Sequence, residues 1–222
     1  MVWSCLVSIL PGMAQTEKLT DYVNPFVGTD GYGNVYPGAQ IPFGGIQISP
    51  DTDSRFYDAA SGYKYNHLTL MGFSLTHLSG TGIPDLGDFL FIPGTGEMKL
   101  EPGTHEDPDQ GYRSRYSHDK EWASPNYYAV ELADYGVKAE MTSGVRSGMF
   151  RFTYPESDNA FIMIDMNHTL WQSCEWANLR MENDSTITGY KLVKGWGPER
   201  HVYFAAVFSR KLTGLRFMQD KK

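Results

Sequence analysis

Apolar and polar residues alternate with a period of two through most of the second half of the chain. Val137, Ala139 and Met141 are separated by polar residues, as are Phe150, Phe152 and Tyr154, and again Ala177, Leu179 and Met181. That period turns one set of side chains to a core and the other to solvent, as a half-buried strand does. Phe161-Ile162-Met163-Ile164 and the stretch from His201 to Phe208 are instead nearly continuous apolar runs, which predict strands covered on both faces. Predicted strands start roughly every 10 to 13 residues with turn residues between them, the rhythm of an antiparallel sandwich or barrel. No segment keeps a helical period. The pattern predicts an all-β fold, a large antiparallel β-sandwich.

The first half is punctuated differently. From Leu19 to about Asp88 come Asn24-Pro25, Gly28-Thr29-Asp30-Gly31, Gly33-Asn34, Pro37-Gly38 and Pro42-Phe43-Gly44-Gly45, all turn signals, with short extended candidates such as Ile46-Gln47-Ile48 between them. This half reads as loops laid over a scaffold, where sites tend to lie. Residues Met1 to Gln15 read as the remnant of a signal peptide. Leu6 to Leu10 is apolar, Pro11-Gly12 breaks the run, and Gly12-Met13-Ala14 supplies small residues before a cleavage point. The start is therefore expected upstream of Met1, and the location is expected to be secreted or periplasmic. No other stretch is long and apolar enough to span a bilayer as a helix. One β-sandwich domain is expected over residues 19–209. Arg210, Lys211, Arg216, Lys221 and Lys222 make 210–222 a basic tail or a truncation scar.

Composition narrows the function. A net charge of −7 offers no basic face for nucleic acid. Aromatic residues at 14% suit both β-sheet packing and stacking against sugars. Cys5 and Cys174 are the two cysteines, and removal of a leader leaves Cys174 alone, so no disulfide framework is expected.

Candidate chemistry concentrates in four places. Asp30-Gly31-Tyr32-Gly33-Asn34 could offer oxygens to calcium, but it lacks a full calcium-loop pattern and turn chemistry explains it. The stretch from His77 to Asp88 crowds an imidazole, Asp85, Asp88 and three glycines into a loop. It has neither the third glycine of a dinucleotide site nor the lysine of a phosphate loop, so it is either a ligand-approaching loop or a tight structural one. Phe56-Tyr57, Tyr63, Tyr65, Trp171, Trp176 and Trp196 could stack on sugars, although an aromatic in a β protein is first a core candidate. Trp196, between Gly195 and Gly197, has the sequence context of an exposed loop. Glycoside hydrolysis needs two flanking carboxylates. Asp85, Asp88, Asp165, Glu175 and Glu182 are available, and no spacing picks a pair from them.

Several motifs together resemble the opening of glycoside hydrolase family 92. They are Tyr22-Val23-Asn24-Pro25-Phe26-Val27-Gly28-Thr29, Gly33-Asn34-Val35-Tyr36-Pro37-Gly38-Ala39, Pro42-Phe43-Gly44, Gln47-Ile48-Ser49-Pro50-Asp51 and Ser61-Gly62-Tyr63-Lys64-Tyr65. Gly72 to Gly82 with Asp85 and Gly87-Asp88, then Gly195-Trp196 and His201 to Ala206, complete the set. The resemblance runs from about Leu19 to Ser209. It implies the amino-terminal β-sandwich of a calcium-dependent, inverting exo-α-mannosidase acting on mannose-containing glycans, as in N-glycan degradation. The family's general acid and base, and most of its calcium shell, belong to an (α/α)6 domain that this sequence does not contain. The chain alone is then expected to be inactive and to lack the last strands of the sandwich. Carried over position by position, the resemblance implies His77, Gly80, Thr81, Asp85 and Asp88 as sugar-pocket residues. Phe56 and Tyr57 fall where many members carry Trp, and Trp196 lies in a matching segment. A freestanding carbohydrate-binding module and a truncated product without function of its own are the competing expectations.

Overall fold

The computed structural model describes residues 17–54 and 57–218. The predicted leader and Phe56 lie outside them. Thirteen strands occur among the described residues: β1 (Ser49–Asp51), β2 (Thr69–Leu70), β3 (Gly72–Ser74), β4 (Leu90–Thr95), β5 (Ser114–Arg115), β6 (Glu121–Ser124), β7 (Tyr127–Leu132), β8 (Val137–Ser143), β9 (Gly148–Thr153), β10 (Ala160–Asp165), β11 (Ser173–Asn183), β12 (Thr186–Lys194) and β13 (Arg200–Val207). Every pairing is antiparallel. The sheets run β1-β3-β4-β10, β6-β7-β8-β9, β11-β12-β13 and the small pair β2-β5. The fold is the all-β sandwich that the period of two predicts.

Alternation becomes packing most plainly in β8. Val137, Ala139 and Met141 are buried, and the residues between them are partly exposed. With Tyr128, Val130 and Leu132 of β7 they cover Ile48, Leu70 and Phe73 of the facing layer. Each apolar side chain fully buried there contributes about 1.5–3 kcal/mol. A second cluster joins Met71, Leu90, Ile92 and Tyr112, with Met163 against it. The sheets meet at Phe91, whose ring centroid lies 5.2 Å from that of Phe150 in β9 and 6.0 Å from that of Phe204 in β13. A polar node sits within the apolar layer, where the buried Glu121 carboxylate accepts hydroxyl hydrogen bonds from Tyr63 (2.9 Å) and Tyr128 (2.5 Å).

Two predicted strands are less covered than their apolar runs suggest. β10 is half-buried along most of its length, and β13 alternates half-buried with exposed positions. Both are edge strands, β10 pairing with β4 alone and β13 with β12 alone among the described strands. An edge strand lacks a neighbour on one side, so continuous apolarity does not give it continuous burial. The sequence pattern records what a strand could bury and is silent on its place in the sheet.

Candidate functional site: a loop cluster over a buried charge network

β1 ends on Asp51, which is wholly buried and bridges two histidines. Its carboxylate oxygens lie 2.7 Å from His77 Nε2 and 2.7 Å from His168 Nε2. His77 Nδ1 donates to the Gln47 carbonyl at 2.7 Å. Burial alone pushes the Asp51 carboxyl upward, but the charge of His77 and hydrogen bonds from both imidazoles outweigh it and hold the group well below the usual carboxylate range. Gly62, at φ +87°, makes room for this arrangement. A Cβ there would stand 2.2 Å from Asp51 Oδ1, which explains the glycine of the Ser61-Gly62-Tyr63 motif.

The network continues through the backbone. Lys191 of β12, fully buried, donates to the His168 carbonyl at 2.6 Å and pairs with Asp88 at 3.1 Å. Asp88 also accepts from Arg200 Nη1 at 2.5 Å and from Thr76 Oγ1 at 2.7 Å. Burial opposes the Asp88 charge, but Lys191 and Arg200 prevail and lower its pKa. For Lys191 burial prevails over the attraction of Asp88, and its pKa is lowered. Asp85 lies 4.0 Å from Arg200 Nη2 and accepts from the backbone N–H groups of Leu86 (2.6 Å) and Trp196 (3.2 Å). Buried charges persist only when paired in this way.

The network pins three loops together. Leu170 N–H donates to the Leu86 carbonyl at 2.9 Å, and the Gln172 amide reaches the Pro84 carbonyl at 3.1 Å. Asp85 ties the first loop to the β12–β13 hairpin at Trp196. Leu86 (φ +74°) and Trp171 (φ +69°) hold left-handed conformations that cost a bulky residue about 1–2 kcal/mol each. On the outside, Trp171 is 53% exposed and packs edge-on against Tyr57, 55% exposed, with ring centroids 4.9 Å apart. Trp196 is 62% exposed.

The sequence-predicted residues thus fall into two groups. His77, Asp85 and Asp88 are brought together, but as buried members of the network with their polar atoms turned to protein partners. Gly80 and Tyr57 are exposed and Thr81 is half-buried on the loop surface, with the Trp196 side chain projecting from the hairpin. Sequence reasoning passed over His168, Lys191 and Arg200, whose partners are distant in the chain, and met Asp51 only as the end of a family motif. It named Trp171 as a possible sugar-stacking residue but left that reading open against a place in the core. The available signal for Trp171 was its place just after an apolar strand, in a segment rich in polar residues.

The carboxylates of this site do not fit a calcium shell. Asp51 is spanned by two imidazoles, and Asp88 is held between Lys191 and Arg200. In the Asp30 loop the Lys64 ammonium sits on the Gly31 carbonyl at 2.5 Å, where a cation ligand set would need that oxygen. No cluster of three or more His, Cys, Asp or Glu side chains able to hold a metal occurs among the described residues.

Comparison with known proteins places this geometry. A family GH92 α-mannosidase from Bacteroides thetaiotaomicron is 97% identical and superposes with a TM-score of 0.91 over 93% of this chain, which covers 28% of that protein. The same enzyme has also been solved with mannoimidazole bound. A GH92 family glycosyl hydrolase is 28% identical with a TM-score of 0.69, covering 84% of this chain and 26% of its own. An uncharacterized secreted glycosidase of Arthroderma benhamiae is 30% identical over 139 residues, 62% of this chain and 17% of that protein. The chain therefore spans less than a third of the length of each of these relatives. The family model described as the glycosyl hydrolase family 92 N-terminal domain matches residues 22–222, and the chain belongs to that family.

Proposed function

We propose that the chain supplies one wall of the sugar pocket of a secreted, inverting exo-α-mannosidase, with the general acid, the general base and the calcium ligands carried by a helical domain outside these residues. The carrying observation is the exposed aromatic group of Tyr57, Trp171 and Trp196 on loops fixed from below by paired charges. Flat aromatic faces bury the C–H face of a pyranose, and a rigid support lowers the ordering cost of binding. The strain held at Leu86 and Trp171 supports the same reading, because such conformations persist where the surroundings over-determine them. The similar enzyme from Bacteroides thetaiotaomicron is an α-mannosidase and binds mannoimidazole, which supports mannose as the sugar. The relative in Arthroderma benhamiae is a secreted glycosidase, which supports an extracytoplasmic site of action. Among the described residues no helix is long and apolar enough to cross a membrane.

In this reading the chain's own residues orient the sugar and exclude water, and carry no proton in the reaction. Inverting hydrolysis needs a protonated acid and a base that activates water on opposite faces of the sugar. Asp51 and Asp88 are poor candidates, since their partners enclose them and hold both carboxyls below the usual range.

The test is tryptophan fluorescence on titration with methyl α-mannoside. The reading expects saturation in the millimolar range, about −4 kcal/mol, lost in Trp171→Ala and retained in Trp122→Ala on the distant β6. Equal binding by both variants, or no binding by the wild-type chain, contradicts it.

A further inference from the structure

Tyr65 and the loop of residues 26–35 stand apart from the aromatic group of Tyr57, Trp171 and Trp196, and a second polar mount lies beneath them. His118 stacks on Tyr65 with ring centroids 3.9 Å apart and planes 5° from parallel. Its Nε2 lies 2.7 Å from the Tyr65 carbonyl and its Nδ1 2.6 Å from the Glu121 carboxylate. Both partners are acceptors, so both ring nitrogens donate. Glu121 is the buried carboxylate that Tyr63 and Tyr128 also hold. Tyr65 is thus fixed through its backbone and one ring face, yet stays 37% exposed. That combination, a braced aromatic at the surface, repeats the construction under Trp171 and Trp196.

The loop is stitched to Tyr65. Tyr65 N–H donates to the Thr29 carbonyl at 2.9 Å, the Thr29 hydroxyl to the Phe26 carbonyl at 2.8 Å, and Phe26 N–H to Asn24 Oδ1 at 3.0 Å. Gly33 packs so closely on Gly28 that a Cβ would stand 2.2 Å from the Gly28 carbonyl oxygen. The Phe26 and Tyr65 rings make a corner, with centroids 5.8 Å apart and planes at 70°. Against this corner lies an open cleft of about 340 Å³, lined by residues 26–30 with Asn24 and Tyr65. Small-ligand sites occupy about 300–1,000 Å³. The lining joins apolar rings to an exposed carboxylate, Asp30, and an exposed amide, Asn24. Rings of this kind take the C–H face of a pyranose, and the polar groups take its hydroxyls. The one charge of the lining is negative, which turns away phosphate and sulfate.

We infer that this cleft holds a second sugar of the glycan, remote from the mannose at the Trp171 and Trp196 wall. The two surfaces are joined, because Gly80 N–H of the wall donates to the Asn34 carbonyl of the 26–35 loop at 2.8 Å. A glycan seated on the wall therefore has a continuous path onto the loop that forms the cleft. An open cleft holds a free monosaccharide poorly. Once the terminal sugar is seated, the glycan itself presents the second sugar at a high effective concentration. The inference rests on the sugar reading above and deepens it: the ligand of this chain is an oligosaccharide, recognised at two separated units.

Amide NMR of the labelled chain, titrated in parallel with α-mannopentaose and with methyl α-mannoside, tests it. The pentasaccharide is expected to shift residues 26–30 and Tyr65 together with 168–172, and to bind several-fold tighter than the monosaccharide. Methyl α-mannoside is expected to leave 26–30 unmoved. In Tyr65→Ala, and in Asp30→Ala on its exposed loop, the pentasaccharide should bind no tighter than methyl α-mannoside binds the wild-type chain. Pentasaccharide shifts that stay within 80–87, 168–172 and 195–197 overturn the inference and leave the sugar reading standing. So does undiminished pentasaccharide affinity in Asp30→Ala with a folded spectrum. Absence of any shift with either sugar overturns the sugar reading, and the inference with it.

Discussion

At the scale of single residues, the account turns on Asp51 and Trp171. Asp51 holds two histidines from different loops, and removing its charge leaves both without their buried partner. Asp51→Asn is expected to destabilise the chain by about 3–5 kcal/mol, read from urea unfolding. A loss under about 1 kcal/mol, the size of a surface pair, would contradict the keystone role. The carboxyl's folded-state pKa is depressed. Its stabilisation is therefore complete above the unfolded value of about 3.9 and is lost as pH falls below it towards the folded value. Asp88 acts in the same direction. Unfolding free energy should fall with acid below about pH 4, and this slope should be shallower in Asp51→Asn. Trp171 separates stability from binding. Its positive φ suits glycine, so Trp171→Gly should be more stable than Trp171→Ala by about 1 kcal/mol, while both lose mannoside affinity. Equal stabilities would show that the strain is absent.

At the scale of elements, β12 carries the interior of its sheet with a glycine beneath an aromatic ring. A Cβ on Gly189 would stand 2.0 Å from Phe204 Cε1, and Phe204 in turn rests on Phe89 with centroids 4.5 Å apart. Gly189→Ala should cost about 1–3 kcal/mol by overpacking, seen as a melting temperature lower by roughly 2–4 °C per kcal/mol. No change would mean that Phe204 has free space to move. The strands themselves were legible because each repeats a local rule along its own sequence. Val137, Ala139 and Met141 announce their burial without reference to any partner. The Gly-rich motifs were legible as loops, and Gly62 shows why one of them cannot vary. The charge network was not legible, because Asp51 and His168 stand 117 residues apart and nothing local in either segment requires the other. Exposure of β13 was misjudged for the related reason that edge position is a property of the whole sheet.

At the scale of the molecule, the sandwich is a scaffold that gathers the loops of Tyr57, Trp171 and Trp196 over a buried charge network. The resemblance read from motifs and the measured likeness agree on the family. The proposed function divides the work of the enzyme between this chain and residues beyond it. The purified chain, with or without added calcium, is accordingly expected to release no aryl leaving group from an aryl α-mannoside, while the full-length Bacteroides thetaiotaomicron enzyme does so under the same conditions. The most direct test of the central claim is the amide NMR spectrum of the isotopically labelled chain titrated with methyl α-mannoside. The account predicts shifts confined to residues around Tyr57, 80–87, 168–172 and 195–197. Shifts centred on β6–β9, or none at all up to about 50 mM sugar, well beyond a millimolar affinity, would contradict it.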